Sequence, residues 1–467
     1  MSFVSTDFLL FLTVVLATFY ALPQRHRNTL LLAASYFFYG YWSVKYLCLL
    51  IFTMVVDYFV ALLIDRAADD QSRKRFLVVS LVINLGILFL FKYLNFFSDL
   101  VAVVTSGRRL VSVDLVLPFG ISFYTFHAMS YVIDVYRRVL PAERSFVHYS
   151  GYVMFFPQLV AGPIARASHL LHQFAEPKFP RREKWIEGSW LIAKGFFMKM
   201  VIADKVAPAV DAYFHFSEAP RTAALMTQAV YFFAFQIYCD FAGYTEIARG
   251  VAKLFDYELV VNFERPYSAT SITDFWRRWH ISLSTWLRDY LYISLGGNRR
   301  GEWRTYRNLM LTMLLGGLWH GANLTFVVWG GAHGLLLSIE KFAQRTRWRT
   351  ISAAVPTALK RIVTFQLVCL TWIPFRAENV HSAGEITRSF LHFWTHPREL
   401  EVREIDIKLW FLIATWMTFE WAEARFSLRD RFSQASTVVR YAALYAAILA
   451  IVLFAETNPK AFIYFQF

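Results

Sequence analysis

Cysteine is nearly missing from this chain. Cys48, Cys239 and Cys369 are scattered through 467 residues in apolar surroundings. That excludes a disulfide framework or a cysteine-based metal cluster and leaves packing as their expected role. No metal site is expected. Acid is also short: 34 Asp and Glu stand against 48 Lys and Arg, a formal charge of +14. Such an excess can signal nucleic-acid binding, but here Lys and Arg gather in short loops beside apolar runs, where basic residues favour the cytoplasmic side of a membrane. No nucleic-acid partner is expected. The first apolar stretch lacks the positive n-region of a secretion signal, and further spans follow it, so it reads as a retained helix.

What is abundant is apolar sequence. The chain is 57% hydrophobic and 18% aromatic, with mean hydropathy +0.39, against roughly 45–50% apolar content in ordinary soluble domains. The long apolar stretches are Phe8–Leu22, Tyr46–Ile64, Phe76–Phe97, Trp185–Ile202, Ala223–Phe241, Val363–Phe375, Leu409–Trp421 and Tyr441–Phe454. Several approach the roughly 20 residues needed to cross a bilayer, and the shorter ones suit half-spans or buried helices. The expectation is an all-α, multi-pass protein of the cytoplasmic (inner) membrane, surrounded by lipid. Loop charge sets its topology. Arg25 and Arg27, the cluster Arg66 to Arg75, and Arg137 to Arg144 are candidates for the cytoplasmic face, although simple alternation of spans does not place all three groups there. The segment Tyr244 to Arg307 is the richest in basic residues, and Arg166 to Lys184 are expected to share a face with Arg137 to Arg144. This requires the segment Tyr152–Ile164 to enter and turn back, with Gly162 and Pro163 as the turn. Ala377–Ile407 is richer in acid and reads as external.

Against this background "LLGGLWHGAN", Leu314 to Asn323, places a histidine among three glycines in an apolar run. Basic loops flank Asn308–Glu340 on both sides, so the segment should go in and come back, reversing at LWHGAN. About twelve helical residues at about 1.5 Å each put His320 about 18 Å from the boundary. Irregular backbone at that depth must be buried in protein or line a cavity, and an intramembrane ionisable residue is a functional candidate. Gly316, Gly317 and Gly321 allow close approach of a substrate or of another helix. The same placement would also suit a histidine that only satisfies a helix-helix hydrogen bond.

A second histidine lies in "SITDFWRRWHISLSTWLRDYLYISLGGNRRG". Trp276, Trp279, Leu283, Trp286 and Tyr290 recur at steps of three and four, with arginines on other faces. This predicts one amphipathic interfacial helix, with Thr273 or Asp274 as N-cap and Gly296 and Gly297 as its stop. His280 falls beside the aromatic stripe, as a packed residue or a reacting one. Asn298, Arg299 and Arg300 can hold phosphate or act as a positive-inside anchor. Asp240 in "QIYCDFAGYTEIA", Asp134, and Asn262 with Arg265 in "NFERPY" either line a pathway or cap and pair locally.

Together these stretches resemble the membrane-bound O-acyltransferase (MBOAT) superfamily, in particular its bacterial alginate O-acetyltransferase-like branch. The likeness is carried by "LPFGISFYTFHAMSYVIDVYR", "FFPQLVAGPI", "YCDFAGYTEIARG", "NFERPY", "DFWRRWHISLSTWLRDYLYISLGGNRRG" and "LLGGLWHGANLTFVVWGGAHG", with the closing "FIYFQF" also similar. The motif core runs from about residue 117 to 334, flanked by transmembrane helices in 1–116 and 335–467, all within one integral-membrane domain, 1–467. The resemblance implies a ring of tilted helices with re-entrant segments around a central tunnel. It also implies that His320 is the catalytic histidine and His280 the second motif residue. Trp319, Asn323, Asn298, Arg299, Arg300 and Asp240 are then the candidate substrate-binding residues. The implied donor is a cytoplasmic acyl thioester, acetyl-CoA as co-substrate with no bound cofactor. The implied acceptor is an extracellular polysaccharide such as alginate, reached with a periplasmic or extracellular SGNH-type acyltransferase as partner.

A neutral imidazole suits that task, because it can take a hydroxyl proton while the oxygen attacks the thioester. His320 is therefore expected to be the general base, with His280 and Asn323 orienting the thioester or stabilising charge. Transfer of D-alanine from a carrier protein to a cell-wall polymer is the neighbouring alternative. A transporter or channel would equally use broken helices, but the chain shows no obvious inverted repeat.

Overall fold

Every regular element among the described residues is helical. The structure, a computed structural model, describes residues 1–105, 111–160, 162–214, 222–299, 301–346, 354–395, 404–456 and 460–463, and among these no strand occurs. Four helices among them are long and apolar enough to cross a membrane: Val44–Arg66, Asp70–Val103, Thr357–Arg376 and Thr437–Phe454. The chain is thus an all-α polytopic membrane protein. It divides into two compact units, Met1–Ile192 with Tyr244–Val260, and Ala193–Gly243 with Val261–Phe467.

The first unit contains α1 (Thr6–Ala21), α2 (Gln24–Gly40), α3 (Val44–Arg66), α4 (Asp70–Leu88), α5 (Leu94–Val104), α6 (Ile121–Tyr136), α7 (Phe146–Met154), α8 (Phe156–Leu159) and α9 (Ala167–Leu170). A π-turn, Phe89–Tyr93, joins α4 to α5. Polar side chains pin the spans to one another, as they do where lipid offers no hydrophobic drive for helix association. Asp57 on α3 accepts from Ser80 Oγ at 2.6 Å and Asn84 Nδ2 at 2.9 Å on α4. Arg73 donates to the carbonyls of Ile64, Val135 and Tyr136 at 2.7–3.1 Å, closing the ends of α3 and α6.

Two expectations change here. The segment Tyr152–Ile164 leaves the helical path at Gly162 and Pro163 and has an earlier break as well, at Phe155 between α7 and α8; Pro157, in the first turn of α8, has no N–H to donate back to the ladder of α7 and suits the start of a new helix. Cys48 is exposed on α3, so only Cys239 and Cys369 are buried packing residues.

The basic residues of the 166–184 segment are drawn together by acid. Asp256, in a left-handed conformation (φ +66°), accepts the Phe179 N–H at 3.1 Å and faces Arg181 at 3.3 Å and Lys184 at 2.9 Å. Lys178 lies over the Tyr257 ring at 4.4 Å. Burial lowers its ammonium pKa, against the opposing pull of Glu176. Asp256, Glu176, Lys178, Arg181 and Lys184, with His169, His172, Gln173 and Glu258, line a cavity of about 300 Å³.

The helices α10 (Arg182–Phe196) and α12 (Ala223–Leu254) contribute residues to both units. The second unit adds a π-helix, Phe197–Ala203, then α11 (Asp204–Phe214), α13 (Ile272–Arg278), α14 (Ile281–Trp286), α15 (Glu302–His320), α16 (Leu324–Ala343) and α17 (Thr357–Arg376). It ends with α18 (Val380–Thr395), α19 (Glu404–Phe426), α20 (Leu428–Gln434) and α21 (Thr437–Phe454). Its core is aromatic: Trp279, Trp329, Trp372, Phe375 and Trp416 are each no more than 2% exposed.

Candidate active site

The helices α15 and α16 form an antiparallel hairpin. α15 starts at Glu302, earlier than the expected Asn308, and its 19 residues end on His320, a length of about 28 Å at about 1.5 Å per residue. Gly321 is the C-cap, and Asn323 caps α16 through Oδ1, which accepts the Thr325 N–H at 3.0 Å. The glycines permit the close approach of two helices rather than of a substrate. A Cβ on Gly317 would stand 2.2 Å from the Phe326 carbonyl oxygen, and one on Gly330 would stand 2.3 Å from that of Met313. Backbone meets backbone at these points, so no side chain larger than hydrogen fits.

This packing holds His320 at the turn, 5% exposed, against three aromatic walls. Its ring lies 5.0 Å from Trp319, 5.0 Å from Trp329 and 5.2 Å from Phe375, at interplanar angles of 81°, 86° and 71°. Edge-to-face contacts of this kind bring the positive ring edge to the negative π-face. The walls fix the plane of the imidazole.

His280 does not lie inside a single interfacial helix. The expected helix is interrupted at Trp279 and His280, with His280 in a left-handed conformation (φ +42°, ψ +54°) between α13 and α14. The chain then passes into a π-helix, Leu287–Tyr292. The N-cap is Ser271, whose Oγ accepts the Asp274 N–H at 3.1 Å, not Thr273 or Asp274. The aromatic stripe faces protein: Trp279, Leu283, Trp286 and Tyr290 are buried, and His280 is fully so.

The cause of the break is the neighbouring "NFERPY" segment. Arg265 is itself left-handed (φ +46°) before Pro266. The Ile281 N–H donates to the Asn262 carbonyl, and the Glu264 N–H to the Arg278 carbonyl, each at 2.9 Å. Backbone bonds to this segment replace helical ones at the interruption. His280 Nδ1 lies 3.1 Å from Asn262 Oδ1, which also accepts the Ser282 N–H at 3.2 Å and the Ser282 hydroxyl at 2.9 Å. The Ser282 N–H can only donate, so the Asn262 atom facing it is the oxygen. His280 then carries its proton on Nδ1, and the lone pair is on Nε2. Phe241 stands perpendicular to the ring at 4.7 Å, and Trp319 lies 6.0 Å away.

The structure therefore brings together His280, Trp319 and His320, with the indole contacting both imidazoles. The remaining candidates lie elsewhere. Asn323 is occupied as a cap, and its Nδ2 donates to the Glu378 carbonyl at 3.1 Å. Asn298 is exposed and accepts from Tyr292 Oη and from Lys341 Nζ. Arg299 is exposed beside it, and Arg300 lies outside the described residues. Asp240 is buried and ion-paired with Lys199 at 2.7 Å.

One neighbour went unremarked at the level of sequence. His333, fully buried on α16, accepts from Trp276 Nε1 at 3.3 Å and lies 4.8 Å from Trp329. The spacing of Trp329 and His333 by one helical turn was the available signal. Among the described residues no group of three or more potential metal ligands occurs.

Comparison with known proteins agrees with this architecture. The membrane-bound O-acyltransferase family model matches residues 31–373. The chain is 45% identical over 404 residues to a protein of Azotobacter vinelandii named probable alginate O-acetylase AlgI, covering 85% of this chain and 79% of the relative. It is 36% identical over 415 residues to a peptidoglycan O-acetyltransferase of Helicobacter pylori, covering 82% and 78%. A teichoic acid D-alanyltransferase of Bacillus subtilis is 27% identical over 286 residues, covering 57% and 71%. With a helical hairpin that sets His320 beside Trp319 and His280, and a family match across most of its length, this chain belongs to the membrane-bound O-acyltransferases.

Proposed function

We propose that the chain moves an acetyl group from a cytoplasmic thioester, acetyl-CoA, to the hydroxyl of an extracellular or periplasmic polysaccharide, with His320 as general base. The observation that carries this reading is the fixed, aromatic-walled placement of His320 at the tip of the α15–α16 hairpin. In the transfer the hydroxyl that first receives the acetyl group, of the polymer itself or of a serine on the partner acyltransferase, gives its proton to the imidazole as its oxygen bonds to the thioester carbon. The carbon–sulfur bond then breaks, and the proton passes to the departing thiolate. Such proton transfer contributes typically about 10²- to 10⁴-fold. His280, held in one tautomer, presents Nε2 to its surroundings and serves to orient the thioester, and Trp319 spaces the two rings.

Acetyl is favoured over D-alanyl transfer because the relatives named for acetyl transfer match at 36–45% identity over more than four fifths of this chain, against 27% over little more than half. Alginate is the first acceptor to test. The reading includes an inner-membrane location, a central tunnel joining the two faces, one integral-membrane domain over 1–467, and a separate SGNH-type acyltransferase that completes delivery.

The test is thioester-dependent acyl transfer by the purified protein in lipid, with acetyl-CoA or a charged carrier protein as donor, with and without an SGNH-type partner. Acetylation from acetyl-CoA that vanishes in His320→Ala, with membrane insertion unchanged, supports the reading. Transfer only from the carrier selects the D-alanyl alternative, and near-normal acetylation by His320→Ala removes His320 as the base.

A further inference from the structure

A buried ion cluster in the second unit has no part in the chemistry above. Lys199, on the π-helix Phe197–Ala203, lies 2.8 Å from Asp204 Oδ1 and 2.7 Å from Asp240 Oδ1, and all three side chains are no more than 4% exposed. The described residues give the cluster further partners in backbone groups of the 460–463 segment. Lys199 Nζ donates to the Lys460 carbonyl at 3.1 Å. Asp240 Oδ2 accepts the Ile463 N–H at 2.7 Å. Buried charges demand such satisfaction, and a single ammonium between two carboxylates leaves acceptor capacity that a backbone N–H can answer.

The strap so held continues toward the site. Between its two anchored residues, Phe462 is 4% exposed and packs against Phe241, ring centroids 5.6 Å apart at 61°. Phe241, the residue after Asp240, is the ring that stands perpendicular to His280 at 4.7 Å. A line of direct contacts thus runs from the ion cluster through Phe462 and Phe241 to the His280 imidazole.

We propose that Lys199 and Asp240 are positioning residues, which clamp the 460–463 segment so that Phe462 and Phe241 fix the orientation of His280 during acyl transfer. This rests on the reading of the His280–His320 site as the transfer centre. Asp240 acts here through Phe462 and does not touch substrate. Small displacements of a reacting group cost rate steeply, up to about 100-fold for about 1 Å. The clamp acts on the chemical step more than on donor binding, and so its loss appears in kcat before KM.

The experiment uses the full chain in lipid, acetyl-CoA as donor, and alginate as acceptor, with the SGNH partner present. Phe462→Ala and Asp240→Asn are each expected to lower kcat by about 10- to 100-fold while the donor KM stays within about 3-fold. Phe462→Leu, which keeps most of the apolar volume, restores most of the rate. Phe462→Ala placed on Phe241→Ala adds no further loss, because the contact line is already cut. Thermal melts accompany each variant, and Phe462→Leu carries the kinetic reading if the alanine variant does not fold. An unchanged kcat, a loss confined to KM, or full additivity of the two alanine substitutions overturns the clamp. A wild-type protein that transfers no acetyl group overturns instead the functional reading beneath it.

Discussion

His280 donates its Nδ1 proton to Asn262 Oδ1 across 3.1 Å, and that single oxygen also receives both donors of Ser282. Asn262, 1% exposed, thus sets the tautomer of the imidazole and ties α14 to the "NFERPY" segment. Asn262→Leu would leave three buried donors without their acceptor, at a cost of about 1–3 kcal/mol for each that finds no other partner. Thermal melting in detergent should show that loss, and acyl transfer should fall with it. Asn262→Asp keeps the acceptor and should retain more of the fold. A leucine variant with native melting and rate would remove Asn262 from its role.

The hairpin gives a paired prediction. At Gly330 an added methyl would meet the Met313 carbonyl at 2.3 Å, whereas at Gly331 the nearest atom is a leucine methyl at 3.7 Å. Gly330→Ala should therefore destabilise by about 1–3 kcal/mol or more through overpacking and displace His320. Gly331→Ala should melt and turn over like the parent. Equal behaviour of the two variants would contradict the close approach of α15 and α16.

Ser271 supplies a milder test of the segment before the break. Its hydroxyl caps α13, so Ser271→Ala should cost about 1 kcal/mol, read as a small fall in melting temperature. The rate should change little, since Ser271 touches none of the site rings. A large loss of kcat with unchanged melting would assign Ser271 a role beyond capping.

Arg299 separates anchoring from donor capture. It is exposed in the turn after the π-helix, where a phosphate of the donor can meet it. If it does, Arg299→Gln should raise the donor KM by about 2- to 5-fold, the scale of one exposed ionic contact, with kcat unchanged. A donor dependence identical to the parent leaves Arg299 as a topological charge.

The hairpin was legible in the sequence because two local signals agreed: basic loops at both ends, and glycine with a polar pair at the reversal. The structure places that reversal at Gly321–Asn323, as the basic flanks and glycines had indicated. The spacing of Trp276, Trp279, Leu283 and Trp286 identified an aromatic stripe but assigned it to the membrane interface, whereas Trp279, Leu283 and Trp286 are buried in protein. It did not show that the stripe bends at His280, since the cause is a hydrogen-bonded partner eighteen positions upstream. Periodicity reports on helical faces and is silent about long-range backbone pairing. For the same reason Asp240, flagged as polar within an apolar run, gave no sign that its partners were Lys199 and the Ile463 N–H.

The left-handed backbone at position 280 carries a cost of its own. A side chain with a Cβ is uncomfortable at φ +42°, and glycine or asparagine would rest there more easily. A laboratory selection for heat resistance alone would therefore push this position toward Gly or Asn and discard the imidazole. If His280 orients the thioester as proposed, a descendant that exchanged it for backbone ease would give up turnover, a trade written into one dihedral angle.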